Sequence, residues 1–104
     1  YALTIPAEPE RVMLREAGGA AEIRWDSARE KGVAGYHVYE VTERLVTRVT
    51  AEPVKDTAFR HAAGSGTRRY CVVTVDALGQ EGQPSSPVWY NRSYRGFFEG
   101  EWHQ

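Results

Sequence analysis

The sequence predicts an all-β sandwich. Short runs rich in β-branched and aromatic residues recur about every 8–12 residues, glycine- and proline-bearing turns separate them, and no useful length carries an amphipathic helical period. Short strands in succession without intervening helices pack as a sandwich or a small barrel. The chain has 104 residues, 41% of them hydrophobic and 26% charged, which is ordinary globular composition and the size of one domain.

Each element has its own local reason. Pro6 and Pro9 fix φ and cannot donate to a ladder, so residues 1–5 read as a linker and 6–10 as an extended entry to a first edge strand. Val12 and Leu14 alternate with Met13 and Arg15, and Gly18-Gly19 supplies a tight turn because glycine reaches positive φ without steric cost. Residues 22–26 form a half-buried strand, with Ile23 and Trp25 on one face and charges on the other. Residues 27–35 are polar and carry Gly32 and Gly35, the pattern of a loop. Tyr36–Val41 follows as a strand, with Tyr36 and Val38 in one phase and His37, Tyr39 and Val41 in the other. Residues 45–50 are β-branched and end at Glu52-Pro53, and residues 57–61 make a short strand. Gly64-Ser65-Gly66 marks a corner. Residues 69–76 hold the strongest β signal, 79–84 form a loop, and 88–90 close the set at seven strands.

Composition excludes several function classes. Lys and Arg total 13, scattered and mostly arginine, against 14 Asp and Glu; a net charge of −1 without a basic stripe argues against nucleic acid as the main partner. No stretch approaches the ~18 apolar residues of a membrane-spanning helix, so no membrane insertion is expected. The single cysteine, Cys71, cannot form an intrachain disulfide. The chain begins at Tyr1 with Met13 its only methionine, which fits a piece of a longer protein.

The order of motifs narrows the fold. Ile23-x-Trp25 followed by Tyr36-x-Val38-Tyr39 resembles the second and third strands of a fibronectin type III domain. Val54-x-Asp56-Thr57-x-Phe59 resembles the fifth strand of that family. Tyr70-x-Val72-x-Thr74-Val75-Asp76-Ala77-x-Gly79-x-Glu81, then Pro84-Ser85, resembles the sixth strand, its loop and the seventh strand. The resemblance covers residues 6–91 and implies a seven-stranded antiparallel, immunoglobulin-like β-sandwich with Trp25 at its centre. The Val-Asp-Ala-x-Gly wording is similar to versions found in multidomain bacterial secreted and surface proteins. At the position of the family's tyrosine corner this chain has Arg68, with Tyr70 two residues later. Either Tyr70 takes the role after a register change, or the corner is absent.

The candidate chemical sites are weak. His37, His61 and His103 share no ligand spacing, whereas zinc needs three or four convergent donors; surface positions are expected for them. Cys71 has no sequence-apparent base partner, so a small, buried or half-buried apolar role is expected. Paired carboxylates for glycoside hydrolysis need a cleft that short loops do not make, and no phosphate-binding Lys-Ser/Thr follows the glycines. The reading is therefore of a non-enzyme without cofactor or metal. Asn91-Arg92-Ser93 fits a glycosylation triplet, a pattern that arises often by chance.

Two features exceed what a minimal sandwich needs. The strands at 36–41 and 69–76 are apolar in both phases, so Tyr39, Val41 and Val73 lie on a face that should otherwise be polar, unless a bulge near the strand end swaps the phase. Residues 92–104 extend past the last strand and carry Tyr94, Phe97, Phe98 and Trp102. These seven residues form the expected interaction surface, the alternatives for the tail being folding back on its own domain, docking against a neighbouring chain or domain, or disorder. By resemblance, the function is that of a spacer or protein–protein interaction module in a larger extracellular or surface protein. Its expected partners are neighbouring domains of the same chain, another protein, or a second copy through the aromatic tail. The alternative is a carbohydrate-binding accessory domain of a secreted hydrolase, with a polysaccharide as ligand.

Overall fold

The computed structural model describes residues 5–62 and 67–91. Seven strands form in chain order: β1 (Met13–Ala17), β2 (Ala20–Arg24), β3 (Val33–Val41), β4 (Val46–Arg48), β5 (Ala58–His61), β6 (Thr67–Asp76) and β7 (Val88–Asn91). They make two sheets, one ordered β1-β2-β5 and the other β4-β3-β6-β7. Every strand pairing is antiparallel. The expected seven-stranded sandwich is therefore present.

The β1–β2 hairpin closes through Gly18 and Gly19, whose φ values of 59° and 81° give the mirror-image turn that matches strand twist. Glu16 accepts a hydrogen bond from the Gly19 amide at 2.8 Å, and Arg60 donates to the Ala17 carbonyl at 2.9 Å. β2 ends at Arg24, one residue short of Trp25. The Trp25 amide nevertheless bonds to the Thr57 carbonyl at 3.0 Å, so Trp25 keeps the inward phase of Ile23.

β3 begins at Val33, inside the stretch that reads as loop in the sequence. A register shift between Val33 and Gly35 absorbs one residue there, so the bulge lies in β3 and not near the end of β6. Gly35 is required at this point. A Cβ on it would sit 2.8 Å from the Val54 carbonyl oxygen, where the chain after β4 runs back along β3. Two further bonds hold that return, Tyr36 N–H to Val54 at 2.9 Å and Val54 N–H to Tyr36 at 2.7 Å.

The core lies between the sheets: Leu14, Ile23 and Trp25 from one side meet Tyr36, Val38, Tyr70, Val72 and Val88 from the other. Trp25 and Tyr36 pack edge-on with ring centroids 5.4 Å apart, a contact worth about 0.5–1.5 kcal/mol beyond its burial. The Tyr36 hydroxyl accepts from the Ala28 amide at 2.7 Å, which anchors the loop before β3.

Polar side chains close one end of this core. Glu40 of β3 and Arg68 of β6 form an ion pair at 2.7 Å, each side chain only 14% exposed. The fully buried Tyr70 places its hydroxyl 2.9 Å from His61 Nδ1 of the opposite sheet and 3.4 Å from Glu40. Burial first, then the Glu40 charge, push the Tyr70 phenol well above its ordinary value, so it stays protonated. Tyr70 thus ties the two sheets through side chains, not through upstream backbone, and Arg68 occupies the corner position. A four-residue cluster of Glu40, Arg68, Tyr70 and His61 stands where a tyrosine corner was sought.

Tyr70→Phe deletes the hydroxyl that joins the sheets and leaves its partners short of one bond. It should lower unfolding free energy by about 1–2 kcal/mol in urea titration, with an unchanged circular dichroism spectrum. An effect below ~0.3 kcal/mol would show that the cluster does not tie the sheets.

Candidate interaction surface

The pairing of β3 with β6 sets two faces at once. Register partners Tyr36–Thr74 and Val38–Val72 point into the core phase, whereas His37–Val73, Tyr39–Cys71 and Val41–Arg69 lie on the outer face. The row continues outward at both edges, Val41 to Val46 of β4 and Arg69 to Trp89 of β7.

On that outer face Tyr39, Val41 and Val73 line one groove of about 330 Å³, together with Val46, Cys71, Glu81, Gly82 and Pro84. The groove is apolar along its floor. Val73 is only 4% exposed, and Cys71, Tyr39 and Val41 are half-buried. Glu81 rims it and accepts a hydrogen bond from the Tyr39 hydroxyl at 2.5 Å. Burial first, then Glu81, push the Tyr39 phenol up to about 12. The Cys71 thiol is also pushed up by burial, with Arg69 opposing. Its half-buried setting agrees with the small apolar role the sequence suggests.

The loop carrying Glu81 is held by the Val-Asp-Ala-x-Gly motif. Asp76 accepts from the Leu78 and Gln80 amides, both at 2.9 Å, and Gly79 turns with φ 83°. Desolvation works against ionisation here, but the Gln80, Leu78 and Gly79 hydrogen bonds prevail and hold the Asp76 carboxyl below its ordinary value. Beyond the loop, Ser85 takes a strand residue's place beside β6. Its amide donates to the Val72 carbonyl and its hydroxyl accepts from the Val72 amide, both at 2.9 Å. A Cβ on Gly82 would fall on the Pro6 carbonyl, so the N-terminal segment also braces this loop.

Opposite Val73 in the β3–β6 register, His37 is buried, contrary to the surface position expected from the sequence. Its Nδ1 lies 2.7 Å from the Thr50 hydroxyl, which also accepts from the Val38 amide at 3.2 Å. Burial lowers the His37 pKa, Arg48 lowers it further and Glu81 opposes. His61 is half-buried in the end cluster, and His103 lies outside the described residues. No group of three His, Cys, Asp or Glu among the described residues is arranged to hold a metal ion.

Much of the apolar surface on this side remains open. Val46 is 67% exposed and Trp89 54%, and Leu45 is exposed beside Val46. The Arg69 guanidinium stands 5.1 Å from the Trp89 ring centroid, a cation–π arrangement that occupies one face of the indole. Sequence reasoning places Tyr39, Val41 and Val73 on this face but misses Val46, Cys71 and the Glu81–Pro84 rim. Val46 was legible from its alternation with Thr47; the rim depends on a loop path that no local pattern encodes. Tyr94, Phe97, Phe98 and Trp102 lie outside the described residues.

No protein-family model matches the sequence, and no curated protein matches it significantly. Solved structures do match. An Fn3-like protein from Clostridium thermocellum aligns with a TM-score of 0.64 at 22% identity, covering 81% of this chain and 90% of the other. A pectate lyase from Erwinia chrysanthemi, in complex with tetragalacturonic acid, aligns at 0.65 and 23% identity over 80% of this chain and 28% of its own. A pectate lyase from Pectobacterium carotovorum aligns at 0.62 and 18% identity over 78% and 25%. The chain thus spans about a quarter of the lyases it resembles. The fold is fibronectin type III-like.

His37 gives this face a pH signature. The unfolded chain protonates it near the ordinary 6.5, while the folded chain resists, so the fold binds fewer protons through that range. Stability should therefore fall as pH drops from about 7 to about 5. His37→Gln should flatten that part of the profile in urea titrations at several pH values; an unaltered slope would contradict it.

Proposed function

We propose that the chain is a non-catalytic β-sandwich module of a larger secreted or surface protein, acting as a spacer and a protein–protein contact domain. The observation that carries this reading is the apolar groove on the outer face of β4-β3-β6-β7, lined by Tyr39, Val41, Val46, Cys71, Val73 and Pro84. An antiparallel sheet normally turns a polar face to water, and an exposed apolar patch marks a contact surface. The partner is a neighbouring domain of the same chain or another protein. The likeness to an Fn3-like protein along nearly its whole length supports a self-sufficient sandwich.

The lyase alignments favour a second reading. There a similar sandwich forms about a quarter of a longer chain, which suits an accessory domain attached to a polysaccharide-acting enzyme. The exposed Trp89 ring would be the stacking platform, although Arg69 already lies over one of its faces. Sugar recognition also wants hydrogen-bonding groups beside the ring, and the groove floor supplies few.

Incubation with polygalacturonate separates the readings. The protein-contact reading predicts neither retention on the polymer nor cleavage of it. Cleavage would overturn the non-catalytic assignment, and retention abolished by Trp89→Ala would put the polysaccharide-binding role in its place.

A further inference from the structure

The sheet β4-β3-β6-β7 ends on β4, and among the described residues only one side of that strand is paired. The hydrogen bonds identify the backbone groups left over. The Thr42 amide donates to the Leu45 carbonyl at 2.8 Å, and the Val49 amide to the Val38 carbonyl at 2.9 Å. Hydrogen-bonded and non-bonded pairs alternate along an antiparallel ladder. Glu40–Thr47 is therefore the bonded pair between those two, and Val46 and Arg48 stand in non-bonded pairs with Val41 and Tyr39. The N–H and C=O groups of Val46 and Arg48 accordingly point away from β3, along an edge whose three residues are all exposed.

Such an edge is a template for another strand, and its side chains specify what that strand must carry. Val46 and Arg48 share the outer face with Val41 and Tyr39, whereas Leu45 and Thr47 take the opposite phase. Leu45 and Val46 are open to solvent. Neither Arg44 nor Arg48 forms an ion pair among the described residues. Two cations thus flank an exposed apolar pair.

Charge argues against β4 of a second copy as the occupant. An antiparallel pairing of two such edges must set Val46 against Val46, Arg48 against Arg48, or Val46 against Arg48 twice. The first register places Arg44 opposite Arg48, the second joins the two Arg48 residues, and the third sets them on adjacent diagonals. Every one brings arginines together. A strand with carboxylates at those positions meets the same geometry with attraction.

We propose that β4 is a docking edge for an extended segment of another protein, added antiparallel. That segment carries one carboxylate opposite Arg48, apolar side chains opposite Val46 and Leu45, and a second carboxylate opposite Arg44. Main-chain bonds to Val46 and Arg48 attach it, and the arginines select its sequence. This rests on the protein-contact reading and deepens it by naming the partner's chemistry.

The experiment titrates the 15N-labelled chain with a capped peptide, Ser-Glu-Thr-Val-Leu-Glu-Ser, and with its counterpart bearing lysine for both glutamates. The expected result is a saturable shift of the Val46 and Arg48 amide signals, half-complete at roughly tenfold lower concentration with the glutamate peptide. Arg48→Glu should narrow or reverse that preference. Val46→Pro removes one outward amide and spares the bonds to β3 made by Leu45, Thr47 and Val49. It should abolish the shift at Arg48 while leaving the circular dichroism spectrum unchanged. No saturable shift, or equal response to both peptides, would overturn the proposal. Shifts confined to Tyr39, Cys71 and Val73 would overturn it in favour of a contact on the sheet face. A dimer in sedimentation that Val46→Pro dissolves would overturn it in favour of a second copy. Failure here leaves the protein-contact reading standing, since polygalacturonate judges that reading separately.

Discussion

The antiparallel pairing of β3 with β6 is the constraint on which the rest of the structure depends. Its register commits Tyr36, Val38, Tyr70 and Val72 to the core, and by the same alternation commits His37, Tyr39, Val41, Cys71 and Val73 to the outside. A slip of one residue would exchange the two sets. Because both sets are largely apolar, hydrophobicity alone specifies this register weakly. Polar contacts supply the missing specificity: Glu40 with Arg68 at one end, and Asp76 turning the chain at the other.

The central pair also needs its neighbours to satisfy backbone groups where strands are interrupted. Two hydroxyls do this. Thr50 accepts from the Val38 amide after β4 has ended, and Ser85 accepts from the Val72 amide before β7 begins. Each lets the flanking chain bend away without leaving a buried donor unpaired. The bends then shape the groove, since Glu81, Gly82 and Pro84 form its rim next to the Ser85 anchor. The fold and the candidate surface therefore come from one set of interactions.

How much of this the sequence disclosed depends on the range of each interaction. Trp25, Tyr36 and Val38 were readable because alternation is local, and the Gly18-Gly19 turn because positive φ favours glycine. The two-faced character of β3 and β6 was likewise visible as apolar residues in both phases. The start of β3 at Val33 was hidden, since the Gly35 bulge and its contact with Val54 involve residues 19 positions apart in the numbering. Arg68 appeared only as a departure from a motif; its pairing with Glu40, and the tie from Tyr70 to His61, depend on how three strands meet. His37 looked like a surface residue because nothing near it in sequence announces Thr50 as its partner.

These parts join in one claim: the outer face of the β3–β6 pair is built to be covered. Nuclear Overhauser contacts from the methyl groups of Val41 and Val46 test this most directly. Cross-peaks from both valines to protons outside their own sheet are the predicted result. Methyl groups that contact only their own sheet neighbours and solvent would contradict it.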